Sequence, residues 1–102
     1  MKFTKLEQAL LPKLFKASAA CGHDFGIMEE CRGAVPVQAL AGVVASLVKK
    51  GVIEVHPTHR YTGHPITQFE FVAIQAARYD STFRQQAYDD AVAATAKLCG
   101  VK

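Results

Sequence analysis

The segment at residues 36–55 constrains the fold most, because its pattern is typical of a helix that ends sharply and passes into a strand. Pro36 suits a first helical turn, where its missing N–H needs no partner. Gly51 suits the left-handed position that ends a helix, and the run that follows it is rich in β-branched residues. The apolar residues that share one helical face are Leu40, Val43, Val44, Leu47 and Val48. The pattern predicts a helix at 36–50 followed directly by a strand.

A β-hairpin is predicted at residues 52–72. Its first strand is expected at 52–56. Its second strand, at 66–72, alternates Gln68 and Glu70 with two phenylalanines, as a half-buried strand does. The connection at 57–65 contains proline and glycine, which predicts a loop.

Two helices are predicted before this segment. Thr4 and Glu7 form a capping-box pattern, which predicts a helix at 5–21. Pro12 either kinks this helix or starts a new one. Its apolar stripe is predicted to contain Leu6, Ala9, Leu10, Leu14, Ala17 and Cys21. Asp24 suits the N-cap of a short helix at 25–32, although Gly26 weakens that helix by about 1 kcal/mol relative to alanine.

A C-terminal helix is predicted at 79–99, with Asp80 or Ser81 near its start. Its predicted apolar face contains Tyr79, Phe83, Ala87, Ala91, Ala94 and Leu98. Two interpretations are open for this face. It forms a dimer interface, or it covers the hydrophobic face of the first helix.

The stretch at residues 39–54, ALAGVVASLVKKGVIE, resembles the recognition helix and wing of MarR-type winged helix-turn-helix regulators of bacteria and phages. The resemblance implies one α+β winged-helix domain over residues 1–102, with three helices, a two-stranded wing and a C-terminal helix. It also implies double-stranded DNA as the partner and a homodimer formed through the C-terminal helix.

Nine residues are the candidate DNA contacts: Gln38, Ala41, Gly42, Ala45, Lys49, His59, Arg60, Tyr61 and His64. The first five share the outer face of the helix at 36–50, and the rest lie in or beside the wing loop. Base reading needs donors and acceptors that reach a base edge, which on this helix are Gln38, Ser46 and Lys49. The other residues of the face are small and uncharged. They let the helix backbone sit deep in a groove, or they form a flat patch for a partner helix.

The wing loop has two interpretations as well. Arg60 is the kind of residue that a narrow minor groove attracts. The alternative is a solvated turn. The net charge of +3 permits nucleic-acid binding without demanding it. An interaction module that uses the winged-helix shape on a protein is therefore the alternative function.

The three cysteines are an odd number, which fits a reducing cytoplasm better than a disulfide-stapled secreted domain. No segment has the pattern of a signal peptide or the length of a membrane span, so a cytoplasmic protein is expected.

Cys21, His23 and Cys31 lack the paired spacing of a zinc site, so no metal or cofactor is expected. The local density of His56, His59 and His64 raises a second hypothesis, of metal binding or pH sensing.

Enzymatic activity is not expected. The sequence has no glycine-rich phosphate loop, no nucleophile elbow and no His-Glu-x-x-His pattern. Asp89 and Asp90 are adjacent, so on a helix their carboxylates point in different directions.

Overall fold

The computed structural model describes residues 2–59 and 65–101. Within these ranges the chain has an α+β fold of four α-helices and a three-stranded antiparallel sheet, which confirms the predicted α+β class. The elements in chain order are α1 (Lys5–Ala20), β1 (Gly26–Ile27), a 3₁₀ helix (Met28–Cys31), α2 (Val37–Lys49), β2 (Ile53–His59), β3 (Pro65–Phe71), α3 (Val72–Arg78) and α4 (Gln85–Leu98).

Helix α1 begins with the predicted capping box. The Thr4 hydroxyl accepts from the Glu7 N–H at 3.2 Å, and the Glu7 carboxylate accepts from the Thr4 N–H at 2.7 Å. The helix continues through Pro12 to Ala20. Its buried face differs from the predicted apolar stripe, because Leu6 is 41% exposed whereas Glu7 is buried. The prediction counted only apolar residues as buried, so it could not include the buried carboxylate of Glu7.

The predicted helix at 25–32 is wrong in its first half. Gly26 and Ile27 form β1, which pairs with β3 at Phe69 and Gln68, and only the four residues after them are helical. A Cβ at Gly26 would overlap the Phe69 ring. The glycine therefore permits a close approach of strand and ring, and sheet pairing replaces a helix that glycine already disfavours.

The sheet has the order β1-β3-β2. Strands β2 and β3 pair from Ile53 opposite Phe71 to His59 opposite Pro65, so both run further into the predicted loop at 57–65 than expected. Side chains alternate between the faces of the sheet. Ile53, Phe69 and Phe71 are buried on one face, whereas Glu54 and His56 on the other face are exposed.

The predicted C-terminal helix at 79–99 is divided. Helix α3 ends at Arg78, and α4 begins at Gln85. Between them the Asp80 carboxylate accepts from both the backbone N–H and the hydroxyl of Thr82, each at 2.8 Å. This local turn competes with helix formation, as aspartate side chains do outside helix interiors.

The core lies between α1, α2 and the inner face of the sheet. Its fully buried side chains include Leu10, Leu14, Leu47, Ile53, Phe69 and Ile74. Phe69 and Phe71 meet edge to face at 6.0 Å between ring centroids, an arrangement that aromatic pairs prefer. None of the helices in the described ranges combines the length and the apolar character needed to cross a membrane.

All three cysteines are free thiols. Cys31 and Cys99 belong to the core, and burial raises their pKa to about 11 and about 12. These two thiols are therefore protonated at neutral pH, and they act as small apolar core residues.

Candidate nucleic-acid interface

Helix α2 has an inner face fixed in the core and an outer face open to solvent. Val43 and Leu47 are buried, and Leu40 and Val44 pack against the same core. The five α2 residues predicted as DNA contacts are all exposed: Gln38, Ala41, Gly42, Ala45 and Lys49. The helix thus presents one continuous row of small and polar side chains outward.

The carboxylate of Glu7 ties the C-terminal end of α2 to the start of α1. The Ser46 hydroxyl donates to Glu7 Oε2 at 2.8 Å, and Lys50 Nζ donates to Glu7 Oε1 at 2.6 Å. Lys50 Nζ also donates to the backbone carbonyl of Lys2 and lies 5.3 Å from the centroid of the Phe3 ring. The prediction that Ser46 is available to read bases is therefore wrong, because its hydroxyl points inward.

The ionisation of Glu7 follows from these contacts. Burial by itself would raise the pKa of the carboxyl. The hydrogen bonds from Lys50, the Thr4 N–H and Ser46, together with the positive charge of Lys50, outweigh burial and lower the pKa to about 2. Glu7 is consequently a charged anchor between the two helices at any physiological pH.

The outer face of α2 carries no acidic residue. Two valines flank the small residues, since Val37 is 79% exposed and Val48 is 41% exposed. Gly42 lies in the helix interior, where glycine costs about 1 kcal/mol relative to alanine. A Cβ built at Gly42 would meet no atom within 4 Å. The fold of this chain therefore gives no packing reason for a glycine at this position.

The hairpin follows α2 after a short turn, and backbone hydrogen bonds join Val52 of this turn to the helices on either side of the hairpin. The Val52 N–H donates to the Leu47 carbonyl of α2, and the Val72 N–H at the start of α3 donates to the Val52 carbonyl, both at 3.1 Å. Of His59 only the backbone, in β2, is described. The other candidate contacts of the wing, which are Arg60, Tyr61 and His64, lie outside the described residues.

Helix α4 turns a different face to the core from the predicted apolar face, and two residues of that predicted face, Tyr79 and Phe83, precede the helix and are exposed. Thr95 is buried, and Tyr88, Val92 and Ala96 pack against the core. Arg78 of α3 donates to the Tyr88 hydroxyl at 2.7 Å, and α4 packs mainly on α3. Ala94 and Leu98, both of the predicted apolar face, are exposed.

A cleft of about 440 Å³ adjoins the end of α4. Its lining residues are Phe3, Gln8, Leu11, Pro12, Lys97, Leu98, Cys99 and Gly100. The cleft separates the start of α1 from the end of α4, so in this region α4 covers α1 only partly.

Comparison with known proteins gives no relative. No protein-family model, no curated protein and no solved structure matches this chain.

Two clusters of polar side chains in the structure are not evident from the sequence. The sequence pattern shows Glu7 only as part of a local cap, because spacing does not show that Ser46 and Lys50 converge on its carboxylate. The second cluster lies on the outer face of the hairpin, where Glu54 stands directly opposite Glu70 and His56 lies beside both. Strand alternation shows which residues share a face, but the pairing register is needed to bring these side chains together.

Proposed function

We propose that this chain is a winged-helix domain that binds double-stranded DNA through the outer face of α2, as a small transcription regulator. The arrangement of elements is compatible with that class. A helix, a short strand and a helical turn precede α2, a hairpin follows it, and the sheet order is β1-β3-β2. In this arrangement α2 is the recognition helix and the hairpin is the wing.

One observation carries the proposal: α2 is fixed on its inner face and presents an outer face without acidic residues. A helix that enters a major groove approaches phosphates on both sides, so a carboxylate there would be repelled. The Glu7 anchor fixes the helix before any partner arrives, so its ordering adds no entropic cost to binding.

The outer face supplies two kinds of contact. Gln38, near the N-terminal end of α2, has an amide that can both donate to and accept from a base edge. Lys49, at the other end, is exposed and suits a phosphate contact. Between them Gly42 and its alanine neighbours allow the helix backbone to come close to the partner. In the wing, Arg60 is the proposed contact to the DNA backbone or minor groove.

The proposed regulator is a symmetric dimer formed through α4. The exposed apolar residues Ala94 and Leu98 support this arrangement, because they extend a face that the chain itself only half covers. A dimer would place two copies of α2 on two half-sites of one duplex.

A protein partner is the second candidate. The observation in its favour is the exposure of Val37 and Val48 beside the small residues of α2. Exposed apolar side chains next to small ones suit close packing against another helix. Under this alternative the same face is used, but the bound surface is apolar rather than anionic.

Fluorescence anisotropy with a labelled DNA duplex of mixed sequence distinguishes the two candidates. Phosphate contacts release counterions, so DNA affinity is expected to fall steeply between about 50 mM and about 200 mM salt. An absence of binding even at the lowest salt concentration would contradict the DNA proposal and favour the protein partner.

A further inference from the structure

Two carboxylates and an imidazole converge on the outer face of the hairpin. Glu54 in β2 lies directly opposite Glu70 in β3, and His56 follows Glu54 on the same face. His56 Nε2 lies 3.6 Å from Glu54 Oε2 and 3.6 Å from Glu70 Oε1. The three donor atoms all lie within 4.8 Å of one another. We propose that Glu54, His56 and Glu70 form a binding site for a divalent transition-metal ion, with Zn²⁺ as the reference ion.

The distances from His56 to the two carboxylates fit a shared metal better than direct hydrogen bonds. A separation of 3.6 Å between nitrogen and oxygen is too long for a good hydrogen bond. Tetrahedral zinc with metal–ligand bonds of about 2.0–2.2 Å places its ligand atoms about 3.3–3.5 Å apart. The two His56 distances exceed this value by only a few tenths of an ångström, which side-chain rotation removes.

The donor set selects the class of ion. Imidazole suits zinc and other first-row transition metals, whereas calcium and magnesium prefer oxygen ligands alone. The two carboxylates neutralise the charge of a divalent cation. The three groups are at least partly exposed, so the remaining coordination position is open to water or to a ligand from solution.

The register of the hairpin gives an electrostatic reason for a cation at this place. Like charges directly opposite one another on neighbouring strands destabilise a sheet, and Glu54 and Glu70 are such a pair. A metal between them converts this repulsion into two attractive contacts. Because pairing of the two strands already positions all three residues, binding requires little reorganisation of the backbone.

The metal-site proposal does not require that the chain bind DNA, although the hairpin that carries the site is also the proposed wing. It also differs from the hypothesis drawn from the sequence, which grouped His56 with His59 and His64. In the structure the described partners of His56 are the two glutamates.

The test is isothermal titration calorimetry of the full chain with ZnCl₂. We expect one Zn²⁺ per chain, at least a tenfold loss of affinity in His56→Gln and in Glu70→Gln, and no measurable binding in the Glu54→Gln/Glu70→Gln double variant.

Glu30→Gln is the charge-matched control, because Glu30 is an exposed carboxylate on the 3₁₀ helix. His59→Gln/His64→Gln is the control for the other histidines of the hairpin region. Both controls are expected to bind Zn²⁺ as the unmodified chain does.

Thermal melts followed by circular dichroism check that every variant folds. Without metal, Glu54→Gln and Glu70→Gln are expected to melt at the same or a higher temperature than the unmodified chain, since each removes one of the facing charges. The absorption spectrum of bound Co²⁺ identifies the donors, because thiolate ligands add an intense charge-transfer band. No Zn²⁺ binding, binding that survives His56→Gln unchanged, or a cobalt–thiolate band would overturn the proposal.

Discussion

The two faces of α2 differ in what holds them. On the inner face, Leu47 is buried and Ser46 donates to Glu7, while Lys50 from the next turn completes the ion pair. On the outer face, Gly42 and Lys49 lie in solvent. Lys49 and Lys50 are neighbours in sequence, yet Lys50 forms the ion pair with Glu7, whereas Lys49 is exposed and can contact a partner. Stability and binding should therefore be separable by substitution within one helix.

The largest expected effect is on the inner side, in Glu7→Gln. The substitution leaves Lys50 without its carboxylate partner and removes the charged half of the capping box. Breaking a buried ion pair in this way is expected to lower the free energy of unfolding by about 3 kcal/mol. Urea denaturation measures the change. Glu30→Gln, an exposed carboxylate, is the control and should change stability by less than about 0.5 kcal/mol. Equal effects in the two variants would show that Glu7 is not the anchor.

The pH dependence of stability follows from the same carboxylate. The folded-state pKa of Glu7, about 2, lies below its unfolded value, so the unfolded chain takes up this proton first as pH falls. The stabilisation is complete above the unfolded pKa of about 4.3 and is lost progressively toward pH 2. Denaturation at a series of pH values in this window should show a steeper loss for the unmodified chain than for Glu7→Gln. Parallel curves would contradict the assigned pKa.

Two glycines show the same contrast between a position that the core requires and a position open to a partner. The first, Gly26, lies against the core. Gly26→Ala should lower stability by about 2 kcal/mol, since the new methyl group overlaps the buried Phe69 ring and overpacks the core. Thermal denaturation measures this change. An unchanged melting temperature would mean that β1 does not need its close approach to β3.

The second glycine, Gly42, lies on the exposed outer face of α2. Gly42→Ala should raise stability by about 0.5–1 kcal/mol, because alanine favours the helix and the methyl group meets no atom. The same variant should bind DNA more weakly if close approach of the backbone is needed. Measuring stability and affinity on one preparation separates the two effects. Unchanged affinity would remove the role that we assign to this glycine.

The sequence predicted elements whose signals are local. The helix at 36–50 appears as Val37–Lys49, and the hairpin follows it within a residue or two of the predicted start. The predicted capping box at Thr4 is also present, and it could be predicted because its two partners are only three residues apart. Elements that depend on distant partners were missed. Strand β1 has two residues, too few for a periodic pattern, and it exists because β3 pairs with it.

The candidate site was predictable only in part. The outer face of α2 follows from helical periodicity, and its residues are exposed as a helix of that register requires. The inward turn of Ser46 did not follow from periodicity, since it depends on a carboxylate thirty-nine positions away in the chain. The division of the C-terminal helix depends on the turn between Asp80 and Thr82, which competes locally with an otherwise helical pattern.

The most direct test of the central claim is DNA binding by Ala45→Glu, measured by fluorescence anisotropy at low salt. Ala45 is exposed at the middle of the outer face of α2, so a carboxylate there would face the phosphates. Ala76→Glu, which adds the same charge at an exposed position of α3, outside both α2 and the proposed dimer helix α4, is the matched control. If α2 enters the groove, Ala45→Glu loses binding at least tenfold while its stability and the binding of Ala76→Glu stay close to those of the unmodified chain. Equal affinity in the two variants would contradict a DNA-binding role for α2.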